Sequence, residues 1–342
     1  MLLLALESSC DETSAAVVRA GKVCANVVAS QIKLHEEYGG VVPELAAREH
    51  LRNLLPVARA ALAEAGVTAR ELDAVAATQG PGLPGALMIG FKAAQAMAFV
   101  LERPFLGVNH HEAHLYSPWI AGTPPQADFE HFQPNVSLIV SGGHTMLVQV
   151  AGEFRHRVLG GTIDDAAGEC FDKTGKLIGL PYPAGPVIDR LAETGNAAAY
   201  DFPRPLLHDA SDDFSFSGLK TSVRYFVRDH PEILEDAQRR RDLCASVQAA
   251  IVEVLVTKTV RAAKRLGVSC VTASGGVICN RALRAQLAAA CARARLTLRL
   301  TEPRFSTDNA AMIGIVAERK LATGTPVDSL DAEIRPNWAL AD

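Results

Sequence analysis

The same order of elements occurs twice in this chain, and that repetition limits the folds open to it. Apolar runs at residues 2–6 and 15–18 flank the polar stretch Glu7-Ser8-Ser9-Cys10-Asp11-Glu12-Thr13-Ser14, which reads as a hairpin with Asp11 at its tip. At 136–140 the pattern restarts with an apolar run, the polar turn Ser141-Gly142-Gly143-His144-Thr145, and a further run at 146–150. Each hairpin is answered later by a short strand, a glycine-bearing loop and a helix start. In the first half these are 73–78, Gln79-Gly80-Pro81-Gly82-Leu83-Pro84-Gly85 and a helix through 86–92. In the second they are 270–273, Ser274-Gly275-Gly276-Val277 and a helix beginning near Asn280. So long a period belongs to duplicated lobes rather than to a solenoid. The mixture of strands and helices makes the fold α/β.

The recurrent loops carry chemical meaning. Backbone N–H groups in glycine turns and at helix N-termini suit phosphate oxygens. A single glycine turn is ordinarily just a turn. Recurrence in both halves is what predicts two lobes facing each other across a nucleotide-binding cleft.

Residues 23–29 supply a third strand, and Leu45, Leu51, Leu54, Leu55, Ala58 and Leu62 fall at helical spacing across 43–65. A strand at 105–108 follows. The connector at 122–134, rich in proline, glycine and acidic residues, marks the boundary. The first lobe is therefore expected at 1–130, with a helix from about 306 packing back on it, and the second at 131–342. The second holds an insertion at about 160–229 without strand rhythm, taken as helical, with dense polar stretches at 161–173 and 214–221.

A chain of 342 residues, 49% hydrophobic and 21% charged, can bury two globular cores. No 18 residues in a row are apolar, so no membrane span is expected, and residues 2–6 read as a buried strand rather than a signal peptide. The seven cysteines are scattered, with no Cys-x-x-Cys pair, which points to a reducing, cytoplasmic setting. Formal net charge is −4, unlike a dedicated nucleic-acid binder. Residues 1–130 hold nine basic and fourteen acidic side chains; the rest is nearly balanced. Arg239-Arg240-Arg241 and the spread Lys258, Arg261, Lys264 and Arg265 read as solvated helix faces. A polyanion would have to meet a local patch or a partner's surface.

Three histidines and a carboxylate crowd into Asn109-His110-His111-Glu112-Ala113-His114. His110 and His114 are four apart, so on a helix they share a face where two imidazoles can grip one metal ion. A helix start capped by Asn109, with histidines on its surface, is the plainer reading. The zincin signature His-Glu-x-x-His fails here, because Glu112 stands two residues before His114 rather than three.

The duplicated hairpins and the Ser274-Gly275-Gly276 loop resemble the actin, heat-shock ATPase and sugar-kinase superfamily, with ribonuclease-H-like lobes. More closely, the chain resembles the TsaD family (formerly Gcp) nearly end to end. The matching pieces are Glu7 to Thr13, Gly39-Gly40-Val41-Val42-Pro43-Glu44-Leu45-Ala46, Gln79-Gly80-Pro81-Gly82 and the histidine segment. Ser141 to Thr145, Asp164 to Lys173, Phe216-Ser217-Gly218-Leu219-Lys220-Thr221 and Ser306-Thr307-Asp308-Asn309-Ala310-Ala311 complete it. Two departures stand out: Ala184-Gly185 replaces the usual Gly-Gly pair, and Ile278-Cys279 replace small residues.

The resemblance implies a tRNA-modifying transferase. Such enzymes move a threonylcarbamoyl group from threonylcarbamoyl-adenylate to the adenosine beside the anticodon of tRNAs reading codons that begin with A, releasing AMP. It further implies one divalent metal ion per subunit, Fe(II) or Zn(II), on His110, His114 and Asp308. Substrate contacts carry over to Ile139, Val140, Ser141, Gly142, Gly143, Asp172, Gly185, Asp189 and Asn280, and a catalytic carboxylate to Asp11. Implied partners are TsaB-like and TsaE-like proteins, the latter an ATPase, and an upstream TsaC-like synthase. A homodimer is a further possibility. Three other readings compete: a sugar-kinase-type phosphotransferase, a metalloprotease, and a non-catalytic scaffold in a tRNA-modification complex. Asp308 has its own plain alternative, that of N-cap to the helix that follows.

Overall fold

Residues 2–6 are uniformly apolar because the strand they form is covered on both faces. In the computed structural model, which describes residues 1–340, strand β1 (Leu2–Glu7) is buried throughout. It pairs antiparallel with β2 (Glu12–Arg19), which pairs with β3 (Lys22–Ser30). Helices α1 (Ile32–Glu36) and α2 (Pro43–Glu64) follow, then β4 (Ala74–Gly80), α3 (Pro84–Leu101), β5 (Phe105–Asn109) and α4 (His110–Tyr116). Short strands β6 (Ile120–Ala121) and β7 (Gln126–Ala127) end this part. The sheet order is β5-β4-β1-β2-β3-β7-β6, with β4 and β5 parallel to β1.

One face of this sheet (Leu2, Leu4, Leu6, Ala15 and Val17) packs on Val57 and Ala61 of α2 and Phe91 and Ala94 of α3. Pro84 opens α3 at the first helical position, where its missing N–H costs nothing.

The second part repeats the plan. Strands β8 (Asn135–Val140), β9 (Thr145–Gly152) and β10 (Arg155–Gly161) form an antiparallel meander. Helices α5 (Ala167–Leu177), α6 (Ala184–Ala192) and α7 (Ser217–Asp229) occupy the insertion, where Thr162 and Phe214 also form a parallel bridge. Helix α8 (Ala237–Leu266), β11 (Cys270–Ser274), α9 (Arg281–Ala294) and β12 (Thr297–Leu300) complete it. Its sheet order is β10-β9-β8-β11-β12, with β11 and β12 parallel to β8. The first sheet contains the same run, third-second-first-fourth-fifth, so the duplication is topological.

The last helix, α10 (Ala310–Ala322), belongs with the first part. The chain divides into Met1–His131 with Thr307–Leu340, and Phe132–Ser306. The expected second lobe of 131–342 therefore ends at Ser306. The reason is that α10 is apolar on nearly every side and is buried from Ala310 to Glu318, lying on β1, β2 and α4. Residues 328–338 then strap the first sheet. Asp328 accepts the Gly107 N–H at 2.7 Å, the Gln79 side chain donates to the Glu333 carbonyl at 2.7 Å, and Gly82 N–H donates to the Pro336 carbonyl at 3.1 Å.

Besides the short elements α1, β6 and β7, three elements escaped the sequence patterns. Strand β10 is a basic edge with Arg155 and Arg157, and β12 has only four residues. Helix α8 is long and buried on most sides, so it lacks a clean amphipathic stripe. The solvated-face reading of its cations is corrected at Lys258, which is 0% exposed. Its Nζ donates to the Ser211 carbonyl at 2.9 Å, Arg261 donates to the Asp209 carbonyl at 2.7 Å, and Arg265 pairs with Asp212. These cations staple the loop before Phe214 to the helix, and burial pulls the Lys258 pKa down. By length and composition alone α3 and α8 are each long and apolar enough to cross a membrane, although neither is an uninterrupted apolar run. In the fold, α8 is a core helix, and α3 packs on β4 and α2.

Candidate functional site

Asn109 starts the site. Its side-chain oxygen accepts the N–H groups of His111 at 2.9 Å and Glu112 at 3.1 Å, capping α4, while its amide donates to the Trp338 carbonyl at 3.2 Å. The two readings of the histidine segment are thus both partly right: Asn109 is the N-cap, but the histidines are not on the surface. His110 is 5% and His114 1% exposed, and their rings lie 4.8 Å apart, edge to face.

Asp308 arrives from the other end of the chain. Its Oδ1 lies 3.4 Å from His110 Nε2 and 3.3 Å from His114 Nε2. The helix that follows is capped by Asn309, whose side chain accepts the Met312 N–H at 3.2 Å, so Asp308 is not the N-cap. Its carboxylate remains available to the histidines.

Electrostatics follow from this burial. For Asp308 and Glu7, burial raises the pKa, but the adjacent His110 outweighs it: Asp308 is held well below the carboxylate range, and Glu7 is lowered. Burial works against a charged His110, yet Asp308 and Glu7 overcome it and raise its pKa well above that of ordinary imidazole. His114, with burial dominant, is lowered. Two imidazole nitrogens and a carboxylate oxygen, all within 4.8 Å of one another, form a donor set that could hold one divalent ion. His114 Nδ1, buried, has no hydrogen-bond partner among the described residues.

Glu112, the would-be base of a protease, is instead tied to Lys320 of α10 at 2.5 Å. This ion pair clamps α4 against the helix that follows Asp308. It leaves the protease reading without its base as well as its spacing.

Asp11 sits half-buried in the β1–β2 turn. His50 holds that turn, its Nε2 lying 2.9 Å from the Cys10 carbonyl and its Nδ1 2.8 Å from Thr13 Oγ1. Burial and the neighbouring Asp11 push both the Cys10 thiol and the Glu12 carboxyl far up. Cys10 is therefore no thiolate. Glu7 and His50 touch the site without having been singled out from the sequence, although each left a mark. Glu7 is a charge ending an apolar strand, and His50 is a polar residue on the buried stripe of Leu54, Val57 and Ala61.

The second unit places the remaining expected residues around β8, α5, α6 and α9. Ile139 and Val140 are buried strand residues, so only their backbone can meet a ligand. Ser141 opens the turn, its N–H donating to the His144 carbonyl at 2.8 Å. Gly142 and Gly143 are exposed, and a Cβ on either would meet nothing within 4 Å. Asp172 accepts the N–H groups of Ala184 at 2.7 Å and Gly185 at 3.4 Å, anchoring the start of α6. Asp189 pairs with Arg281 at 2.8 Å. Asn280 caps α9 through the Leu283 N–H at 2.9 Å and donates to Gln248 at 2.6 Å. The extra methyl of Ala184 lies against Gly175, where a Cβ would come within 2.0 Å of it. Ile278 joins the core, and Cys279 is exposed.

A ribonuclease-H-like sheet present twice defines a member of the actin and sugar-kinase fold class, and one copy carries a His-His-Asp centre that could hold a metal ion. Solved structures agree on the fold. HypF from T. kodakarensis superposes with a TM-score of 0.59 at 16% identity, over 94% of this chain and 48% of that one. ROK hexokinase from Thermus thermophilus gives 0.52 at 14% identity, over 95% and 100%.

Sequence relatives narrow the class. The family model described as "TsaD: tRNA N6-adenosine threonylcarbamoyltransferase" matches residues 22–315. Curated proteins of that name from Acidovorax sp. (strain JS42) and Chlorobium luteolum are 49% and 50% identical. The first alignment covers 99% of this chain and 97% of the relative, and the second 95% and 94%. The chain belongs to the TsaD family of tRNA N6-adenosine threonylcarbamoyltransferases and is an enzyme.

Proposed function

We propose that the chain transfers the threonylcarbamoyl group from threonylcarbamoyl-adenylate to the exocyclic amine of the adenosine beside the anticodon, in tRNAs reading codons that begin with A. The observation that carries this reading is the His110, His114 and Asp308 centre, intact and buried in a chain related end to end to that family. The amine nitrogen bonds to the carbamoyl carbon, the carbon–oxygen bond to phosphate breaks, and AMP leaves with the electron pair. Asp11 orients the amine and takes its proton. A mixed anhydride is already activated, so positioning, exclusion of water and charge stabilisation are the enzyme's main tasks.

Backbone N–H groups of Gly142 and Gly143 donate to phosphate and carbamoyl oxygens. Ser141, whose N–H closes the turn on the His144 carbonyl, offers its hydroxyl proton, and residues 139 and 140 contribute backbone alone. Asp172 and Asp189 use the carboxylate oxygen not engaged with α6 or Arg281 to accept from hydroxyl and N–H donors of the threonyl and ribose parts. Gly185 and Asn280 shape the wall beside ribose or adenine. His110, His114 and Asp308 would hold a divalent ion, Fe(II) or Zn(II), which supplies Lewis-acid polarisation of an oxygen when bound. The chain works in the cytoplasm with TsaB-like and TsaE-like partners, and a TsaC-like synthase makes the adenylate.

The test is a reconstituted transfer assay on unmodified tRNA, with metal analysis of the purified chain. Wild type should transfer. Asp11→Ala should abolish transfer yet still bind adenylate, and His110→Ala should lose metal and transfer together. Full transfer by metal-free wild type refutes the metal's role, and full transfer by Asp11→Ala refutes Asp11's.

A further inference from the structure

We infer that Glu7 is the positioning residue of the metal centre: its buried carboxylate accepts the Nδ1–H of His110 and thereby commits Nε2 to the metal. The inference rests on the metal reading above. Glu7 is 0% exposed, and its two oxygens meet three groups. Oε2 lies 3.0 Å from His110 Nδ1 and accepts the Thr78 hydroxyl at 2.6 Å, while Oε1 accepts the Ser9 N–H at 2.5 Å. An ionised carboxylate has only acceptors, so Nδ1 must carry the proton. Nε2, the nitrogen that faces Asp308, is then the one that can yield its proton to a metal ion; Ser9 Oγ, 3.3 Å from Nδ1, is the longer of that nitrogen's two contacts.

A purely structural role explains Glu7 less well. Sealing a whole carboxylate away from water is costly, and two neutral donors alone could be served at less cost by neutral side chains. What a carboxylate adds is acceptance on both oxygens, with no N–H directed at the imidazole. The arrangement also singles out one histidine, since His114 Nδ1 has no hydrogen-bond partner among the described residues. Carboxylates behind ligating histidines fix tautomer and ring orientation.

Glu7→Gln tests this nearly isosterically. If the amide oxygen serves Ser9, the NH2 group faces His110 Nδ1 and favours the tautomer whose Nε2 is protonated and cannot ligate. If the oxygen serves His110, the NH2 group opposes the Ser9 N–H. The expected result is zinc binding weakened about 10- to 100-fold, measured by chelator competition at a temperature where metal-free wild type and variant are both fully folded by circular dichroism. A second measurement needs no variant. In wild type loaded with cadmium-113, coupling from the metal to both Hδ2 and Hε1 of His110, with a retained Nδ1 proton, reports Nε2 ligation. Coupling to Hε1 alone, or loss of the Nδ1 proton, overturns the assignment. Wild-type zinc affinity in Glu7→Gln overturns it too, leaving the metal site standing. A wild-type chain that binds neither zinc nor cadmium overturns the metal reading and this inference with it.

Discussion

Asn109→Ala should loosen the metal helix and its strap in one step. The side chain caps α4 through two N–H groups and donates to the Trp338 carbonyl, all at a position only 4% exposed. Losing an N-cap costs about 1 kcal/mol and up to about 2. Losing the strap hydrogen bond costs about 0.5–1.5 kcal/mol more, because water cannot readily replace it. The expected loss is thus about 2–3 kcal/mol. Helix α4 has seven residues and carries both histidines, so fraying acts directly on the ligands. If about 1–2 kcal/mol falls on α4, zinc affinity drops roughly 5- to 30-fold. Urea unfolding followed by tryptophan emission isolates this effect, because both tryptophans, Trp119 and Trp338, belong to the first unit. Asn109→Asp should recover most of the cap but not the strap bond. Asn109→Ala with stability within about 0.5 kcal/mol of wild type and unchanged zinc affinity would refute the reasoning.

Two further predictions concern the elements around Asp308. A Cβ on Gly314 would stand 2.7 Å from Val18 Cγ2 and 3.2 Å from Ala5 Cβ. Gly314→Ala should therefore lose about 1–3 kcal/mol to overpacking, regain about 1 from helix propensity, and weaken metal binding by lifting α10; a more stable protein in thermal melts would contradict this. The second is a pH effect. His110 has a raised folded pKa, so in the metal-free chain its contribution is full below about 6.5 and fades as pH rises through that higher value. His114 has a lowered folded pKa, so its cost appears below about 6.5 and is absent above. Between pH 7 and 9 ionisation of thiols in the unfolded chain lowers the stability of both forms alike, because burial holds the folded thiols up. The readout is therefore the gap between the metal-free and zinc-loaded chains, which should widen as the His110 contribution fades. A constant gap would exclude a charged His110.

Short-range chemistry is legible in the chain itself. The repeated order of strand, polar turn and strand shows directly, because a strand's side chains must match its two faces over a few residues. Pro43 and Pro84 mark helix starts, since proline fits the first helical position and little beyond it. The four-residue spacing of His110 and His114 determines a shared helical face before any tertiary contact forms. The four-residue β12 left no comparable signal, and α8 hid its role because a helix buried on most sides has no polar face to set the period.

Tertiary structure decided the rest, because the deciding contacts join distant residues. Glu7 meets His110 across 103 positions, and Asp308 meets His114 across 194. Residue types alone do not distinguish Asp308 from Asn309 as N-cap; the packing of α10 on β1 and β2 assigns the cap to Asn309 and leaves Asp308 facing the histidines. Likewise, Lys258 reads as a surface cation until the loop it holds is folded over it. The sequence by itself determined two like lobes and a pair of histidines on one helical face. Only the fold brought a carboxylate to each side of His110, because burial and long-range packing, not spacing, bring those charges together.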